Sequence, residues 1–429
     1  MADRRVLVKV LGGGGEVGRL SVLLRYSDSR RAVILDAGVN FDENDNPVFA
    51  NTYPPKYVEA IVLSHAHLDH IGTAPMYYIS GNPAIYATRP TLEMARLMWA
   101  DFLKINGYYS PYEAGEVDKA VAATRTIDYG DEVEAAGFTL RFYNSGHIPG
   151  SVFTLIEADG LRIGFTGDVN TVETKLMKGM DIDSIGGVDV LIMEATYGAS
   201  THPPRRVSEA KLVSIVEEVV EQGGTVLIPA FSIARGQEVM MILEEYGVDV
   251  PVAVDGMIRK TTEIMLENRR YINNPHLLER AYNDYLFVRG WRDRSRVWRR
   301  PGVIIASAGM LKGGPSLYYV KKIGGKKKNA VILVSYQAEG SPGRRLLEEG
   351  KIPGSEEMLK ARLEWLDLSS HADMYGLAEM ARRLKPSRII VVHSDAEVAA
   401  KFVEYLRGRV DGDTRIDIAV NNAEYILEA

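Results

Sequence analysis

The sequence predicts an α/β protein in which two helix-covered sheets are interrupted by a separate βαβ domain. Three observations carry this reading. Apolar runs of strand length, with helical stretches between them, fill the first half of the chain. From residue 207 the rhythm changes to helices alternating with short buried strands. After residue 365 the chain returns to its earlier pattern. Each such element must bury one face against another layer, so the pattern implies sheets covered by helices.

Residues 6–11, 20–26, 32–35 and 60–63 are apolar runs of strand length, as are 138–143, 151–157, 162–166 and 188–193. Helical stretches fall at 90–103 and 112–123. Residues 207–222 have helical apolar spacing and stop at Gly223-Gly224. A buried strand at 225–229 and a helix at 236–246 follow, then apolar runs at 250–254, 302–306 and 330–335. Strands joined by crossover helices predict a parallel sheet. The domain boundaries fall at 1–198 with 366–429 for the first domain and 199–365 for the second. The tail from Trp365 reads strand–helix–strand–helix–strand, and Lys326-Lys327-Lys328 reads as a solvated loop.

Among 429 residues there is no cysteine, which excludes disulfides, thiolate nucleophiles and Cys-based metal sites. Any metal must be held by His, Asp and Glu. No apolar run approaches the length of a membrane span, and the N-terminal stretch lacks the apolar core of a signal peptide. A cytoplasmic protein without membrane partners is the expectation. The net charge of −6 argues against a general nucleic-acid coat but leaves room for a local basic track.

Gly13-x-Gly15-x-x-Gly18 follows a strand, and Asp36 ends the next one, as in a dinucleotide-binding fingerprint. That fingerprint needs a helix after the glycines, and only 20–26 lies before the next turn. A hairpin fits the space and a crossover does not. The glycines then read as a tight turn, or as a turn whose N–H groups face an anion.

Three of the eight histidines lie within six residues, in His65-Ala66-His67-Leu68-Asp69-His70, just after an apolar strand. In an extended segment residues two apart point the same way, so His65 and His67 can hold one ion. Asp69 and His70 start the next turn and can face a second. A buried cluster of imidazoles and a carboxylate has no inexpensive structural role, since each group needs a partner. His147 lies between glycines after a strand, and Asp168 follows Phe165-Thr166-Gly167 at another strand end. Strand-end loops are where functional side chains project. One site can be built from His65, His67 and His147, the other from Asp69 and His70, with Asp168 shared.

Asp36 in Leu-Asp-Ala-Gly, the HAHLDH segment, His147 and Asp168 together resemble the ordered motifs of the metallo-β-lactamase fold, a four-layer αββα sandwich. Glu194 in Met-Glu-Ala-Thr-Tyr-Gly, His371 in Ser-Ser-His-Ala-Asp and His393 in Val-Val-His-Ser-Asp resemble motifs A, B and C of the β-CASP nucleases, with the βαβ domain inserted between A and B. The match spans essentially the whole chain. It is most similar to archaeal-type homologues of the nuclease subunit of the cleavage and polyadenylation specificity factor, with RNase J next. Motif C departs from the commoner His-Gly-Glu: the histidine is kept and the carboxylate is one carbon shorter.

The resemblance implies a ribonuclease that cuts phosphodiester bonds with a water activated by two metals. His65, His67 and His147 would hold one metal, Asp69, His70 and His393 the other, with Asp168 bridging. Asp69, His371, Glu194 and Asp36 are the residues it implies for catalysis. Asp36 would fix a ligand ring from behind. His371 would protonate the leaving 3′ oxygen, and Glu194 would orient it and favour its charged form. The nitrogen and oxygen donors suit two Zn²⁺ and leave Mn²⁺ open. In this family a histidine at motif C goes with RNA, so His393 implies RNA, mainly single-stranded. Endonuclease and 5′→3′ exonuclease action both remain open, and a homodimer is the default for an enzyme.

Further contacts to RNA phosphate are expected from Arg289 and Arg292, in a stretch of six arginines with Trp291 and Trp298, and from the loop residues Ser307, Gly309, Gly313 and Gly314. A solvated arginine face and ordinary tight turns fit the same residues. A small-molecule hydrolase of the same fold and a catalytically silent RNA-binding paralogue are the rival readings. Loss of ligands would mark the latter, and none is lost.

Overall fold

The computed structural model describes residues 5–427. The chain divides into two compact units. The first comprises the described residues of Met1–Glu173, Gly179–Thr201 and His371–Ala429, and the second comprises Thr174–Lys178 and His202–Ser370. Among the described residues, no helix is long and apolar enough to cross a membrane.

The first unit holds two seven-stranded mixed sheets. One runs in the order Glu424–Leu427, Val6–Gly12, Ser21–Tyr26, Ala32–Leu35, Val58–Val62, Ala84–Thr88, Thr124–Ile127. Its first four strands are antiparallel and the rest parallel. The other runs Arg415–Ile418, Arg388–Val392, Val190–Glu194, Leu161–Phe165, Val152–Ala158, Phe138–Asn144, Glu132–Ala135. Here the parallel strands come first.

Period-two alternation decides which side chains meet. Val6, Val8, Val10, Val22 and Leu24 of one sheet share a buried core with Leu140, Phe142, Ile163, Phe165 and Ile192 of the other. Leu191 and Met193 point the opposite way, into a second core with Leu377, Met380 and Phe402 of the helices Met374–Leu384 and Ala396–Leu406. Burying each such side chain contributes roughly 1.5–3 kcal/mol. Sheet faces sheet with helices outside, as the αββα expectation required.

The second unit has one parallel sheet, ordered Leu286–Phe287, Val252–Asp255, Gly302–Ala306, Thr225–Pro229, Ala330–Leu333, Arg362–Trp365. Val226, Ile228 and Ile305 face the helices Arg205–Glu221 and Arg235–Glu245. Leu227, Ile304 and Val331 face Gly314–Ile323 and Pro342–Glu349. Both faces are covered, which is why these strands read as continuous apolar runs.

The tail differs from its expected order. The strand ending at Trp365 belongs to the second unit's sheet, and the chain closes on two strands rather than one. Arg415–Ile418 and Glu424–Leu427 are short and half-exposed edge strands, so they lack the apolar signal of buried ones. The Gly13–Gly18 turn joins antiparallel neighbours, so it is a hairpin connection. Two of its N–H groups have protein acceptors rather than an anion: Gly14 donates to Asn421 Oδ1 and Val17 to Asp395 Oδ1.

Candidate metal centre

The chemistry-bearing side chains of the first unit stand where strands end. His65 and His67 follow Val58–Val62, and Asp69 and His70 sit in the short helix Leu68–Ile71. Asp36 follows Ala32–Leu35, Asp168 follows Leu161–Phe165, Glu194 closes Val190–Glu194 and His393 follows Arg388–Val392. His147 lies in the loop between Phe138–Asn144 and Val152–Ala158, and His371 just before Met374–Leu384. Loops at the carboxyl ends of parallel strands are where open α/β sheets place ligands.

Two donor clusters result. His65 Nε2 lies 3.1 Å from His67 Nδ1, and His147 Nε2 lies 3.3 Å from the same atom. Asp168 Oδ2 is 3.4 Å from His65 Nε2 and 3.5 Å from His147 Nε2. The second cluster sets His393 Nε2 3.4 Å and His70 Nε2 3.9 Å from Asp69 Oδ2. Asp168 Oδ1 is 3.3 Å from His70 Nε2 and 3.5 Å from His393 Nδ1. One carboxylate thus gives one oxygen to each cluster. Donor atoms within each set lie within 4.8 Å of one another, for His65, His67, His147 and Asp168 and again for Asp69, His70 and His393.

The donors fit cations better than they fit each other. His70 Nε2, His393 Nε2, His67 Nε2 and Asp168 Oδ1 are buried and have no hydrogen-bond partner. Some approach to 3.3 Å, yet none is aligned as donor to acceptor. Leaving a polar atom buried and unmet costs roughly 1–3 kcal/mol. A cation among nitrogen and carboxylate donors meets them together.

Surrounding groups fix which ring atoms face inward. His70 Nδ1 donates to Asp36 Oδ2 at 2.7 Å, which leaves Nε2 as its inward lone pair. Ser64 donates its backbone N–H to Asp36 Oδ1 and its hydroxyl to Oδ2, both at 2.7 Å. With that proton committed, Ser64 Oγ accepts from His65 Nδ1 at 3.0 Å, so His65 also presents Nε2. Thr196 repeats the arrangement on the other sheet: its hydroxyl donates to the His393 carbonyl at 3.3 Å and accepts from His393 Nδ1 at 3.2 Å. Neither Ser64 nor Thr196 was singled out in the sequence. A hydroxyl beside a ligand leaves no spacing signal.

The backbone is strained at two of these positions. Asp36 and His393 have φ of 57° and 48°, a region non-glycine residues rarely adopt. Gly38, two residues on, must be glycine, because a Cβ there would stand 1.6 Å from the Asp69 carbonyl oxygen.

Burial holds His65 well below the usual imidazole range and His67 down to about 4, which favours their neutral forms. Burial also disfavours charge on His70, yet Asp168, Asp36 and Asp69 outweigh it and hold that ring well above its ordinary value. Burial pushes the Asp168 carboxyl up, and the imidazoles led by His70 and His393 reverse this and hold it well below.

His371 Nδ1 donates to Glu194 Oε1 at 2.8 Å, and its Nε2 lies 3.8 Å from Asp168 Oδ2. Glu194 also accepts from the N–H groups of Val169 and Thr196, so it is fixed before it fixes His371. The side chains of Asp69 and His371 are 34% and 17% exposed, whereas the other donors named are nearly sealed except His67, which is half-buried. A substrate would meet Asp69 and His371 early.

The residues expected to touch RNA phosphate lie in the second unit. Arg289 and Arg292 are exposed. Ser307 is buried at the end of Gly302–Ala306, its N–H donating to the Asp255 carbonyl. The Gly309 carbonyl accepts from Gln337 Nε2, and Gly313 and Gly314 open the helix Gly314–Ile323.

Packed mixed sheets with strand-end imidazoles and carboxylates define a metallo-hydrolase scaffold. Residues 23–196 match the metallo-beta-lactamase superfamily domain, 236–346 the Beta-Casp domain, and 356–419 the Zn-dependent metallo-hydrolase RNA specificity domain. The protein named RNase aCSPSF2 from Saccharolobus solfataricus is 47% identical over 412 residues, covering 96% of this chain and 83% of its own. Probable RNase MJ4 from Methanocaldococcus jannaschii is 33% identical, with 91% and 94% covered. Transcription termination factor FttA from Thermococcus kodakarensis is 34% identical, with 99% and 72% covered. A crystal structure of a protein of unknown function from Enterococcus faecalis V583 is similar in fold, with a TM-score of 0.61 at 14% identity, covering 99% of this chain and all of that one. The chain belongs to the β-CASP family of the metallo-β-lactamase superfamily.

Proposed function

We propose that this protein is a metal-dependent ribonuclease that hydrolyses phosphodiester bonds of single-stranded RNA. The observation that carries the reading is the Asp168 carboxylate, whose two oxygens are divided between two clusters of inward-facing imidazoles. RNA as substrate is supported by the names of the relatives and by the match to an RNA specificity domain.

His65, His67 and His147 would hold one divalent cation and Asp69, His70 and His393 the other, with Asp168 shared between them. The donor set suits Zn²⁺ and accepts Mn²⁺. Bound there, two such cations supply Lewis acidity toward a phosphodiester and lower the pKa of water. The chain's own residues do the rest. Asp36, Ser64 and Thr196 aim the ligand rings. Glu194 holds the His371 ring with Nε2 toward Asp168, where it can hand a proton to a departing 3′ oxygen. No 2′-hydroxyl attack is needed, so the products carry 5′-phosphate and 3′-hydroxyl ends.

The test pairs metal analysis with cleavage of 5′-labelled and internally labelled RNA, with monophosphate and triphosphate ends compared. About two divalent ions per chain and metal-dependent cutting are expected. His67→Ala should lose both metal and cutting. Full cutting by that variant would remove the assignment.

A further inference from the structure

Residues 289–328 carry twelve lysines and arginines against one acid, Asp293, so this segment is strongly positive in a chain whose net charge is −6. The fold gathers these charges. Helix Trp291–Val297 lies against helix Gly314–Ile323: Trp291 meets Tyr318 edge-on at 5.2 Å, and Arg294 and Tyr319 share the carboxylate of Asp255. The following loop joins the same patch, with Lys326 Nζ 5.7 Å and Arg299 5.2 Å from the Trp298 ring centroid.

Arg294 helps to hold the fold, by two 2.7 Å bonds to buried Asp255. That pairing anchors the helix Trp291–Val297, which has no buried residue of its own. Arg292, Arg296, Arg300, Lys321 and Lys327 are exposed, and none reaches a carboxylate within ion-pair distance among the described residues. Elsewhere exposed arginines are commonly neutralised, as in Arg89–Glu93, Arg141–Glu132, Arg344–Glu348 and Arg362–Glu218. A cluster of unneutralised cations repels itself and favours a polyanion. Trp291 adds a large exposed ring, 66% accessible, beside Tyr318. Aromatic faces among cations suit unpaired bases strung on a phosphate backbone, while a duplex would keep its bases stacked on each other.

We infer that the face formed by Trp291–Val297, Tyr318, Lys322 and the Lys326–Lys328 loop is a binding surface for single-stranded RNA carried by the second unit. Arg292, Arg296 and Lys322 contact phosphates there, and Trp291 stacks on a base. The inference rests on the ribonuclease reading for the identity of the polyanion, and the experiment below separates the two.

The probe is a fluorescein-labelled oligouridylate of about 20 nucleotides with phosphorothioate linkages, which keep their charge and resist hydrolysis. Binding to the metal-loaded protein is followed by anisotropy across a salt series. Neutralising three phosphate contacts in Arg292→Gln/Arg296→Gln/Lys322→Gln should weaken binding at least tenfold and flatten the log–log salt slope by about 2. Trp291→Ala should weaken binding roughly fivefold or more and leave the slope unchanged. On ordinary RNA both variants should raise KM for long substrates. Melting curves and metal content equal to wild type show that the variants fold. Wild-type affinity and slope in the triple variant overturn the inference while leaving the ribonuclease reading intact. A wild-type dimer that the triple variant dissociates also overturns it, since a second copy would then cover this face. If wild type binds the probe with the slope lost in the variant but cuts no RNA, this surface stands and the ribonuclease reading falls.

Discussion

Asp36 and His70, thirty-four positions apart, are joined by a 2.7 Å hydrogen bond from ring Nδ1 to carboxylate Oδ2, and both side chains are sealed from solvent. That bond fixes the tautomer with which His70 faces the second donor cluster. Asp36→Asn tolerates the same left-handed backbone and keeps one acceptor, so the fold should survive. Metal affinity should fall roughly ten- to a hundredfold, the usual cost of losing a partner behind a ligand. Titration calorimetry of the metal-free protein reads this directly, and unchanged affinity would reject the role given to Asp36.

Ser64 and Thr196 should behave alike on the two sheets. Ser64→Ala removes the acceptor for His65 Nδ1, and Thr196→Val removes that for His393 Nδ1. Each should lower metal affinity roughly tenfold with little change in the melting temperature. A large loss of stability with metal binding intact would instead mark them as packing residues.

The donors were legible in the sequence because chemistry and spacing both restrict them. His65, His67, Asp69 and His70 sit within six residues behind an apolar strand, and Asp36, His147, Asp168 and His393 each follow one. The hydroxyls that orient them were not, since Ser64 and Thr196 look like any polar residue at a strand end. Most strands buried on both faces were legible, as at Gly302–Ala306, although the buried Ala84–Thr88 was missed. Thr124–Ile127 and Glu132–Ala135 were missed where exposed polar residues erase the apolar run. The arginine stretch shows a subtler limit. Six arginines read alike in sequence, and only Asp255 at the end of another strand distinguishes Arg294 as a structural anchor.

His371→Ala should keep its metal and lose rate. The ring is tied to Glu194 and is absent from both donor clusters, so metal content should match wild type. Loss of a positioned proton donor should lower kcat by roughly 10²–10⁴. Glu194→Gln should show a smaller loss in the same direction. Metal loss in His371→Ala would make the residue a ligand.

Chelation should destabilise the first unit. The buried, unpartnered atoms of His67, His70, His393 and Asp168 lose their compensation when the cations leave. A ligand bound only by the folded state stabilises it in proportion to RT ln(1 + [L]/Kd), so the melting temperature should rise with added Zn²⁺ or Mn²⁺ and fall with chelator. A melting curve indifferent to both would count against the metal centre.

Acid stability of the second unit should depend on Glu238. This buried carboxylate accepts from Arg205 Nη2 at 2.6 Å and from the N–H groups of Lys175 and Leu176 at 3.1 and 2.8 Å. Burial alone would push its pKa up, but Arg205 and these hydrogen bonds hold it below the ordinary glutamate value of 4.5. A carboxyl with a depressed folded pKa binds its proton more readily when unfolded. Its contribution is therefore complete above about pH 4.5 and is lost as pH falls through the lower folded value. Glu238→Gln removes the charge but keeps the shape, leaving Arg205 short of a buried counterion at a cost on the order of 3 kcal/mol near neutral pH. Urea melts across pH 3–7 should show wild-type stability declining at the acid end. The difference between wild type and variant should be largest at neutral pH and shrink as wild-type Glu238 is protonated. A difference independent of pH would mean that Glu238 acts by packing rather than by charge.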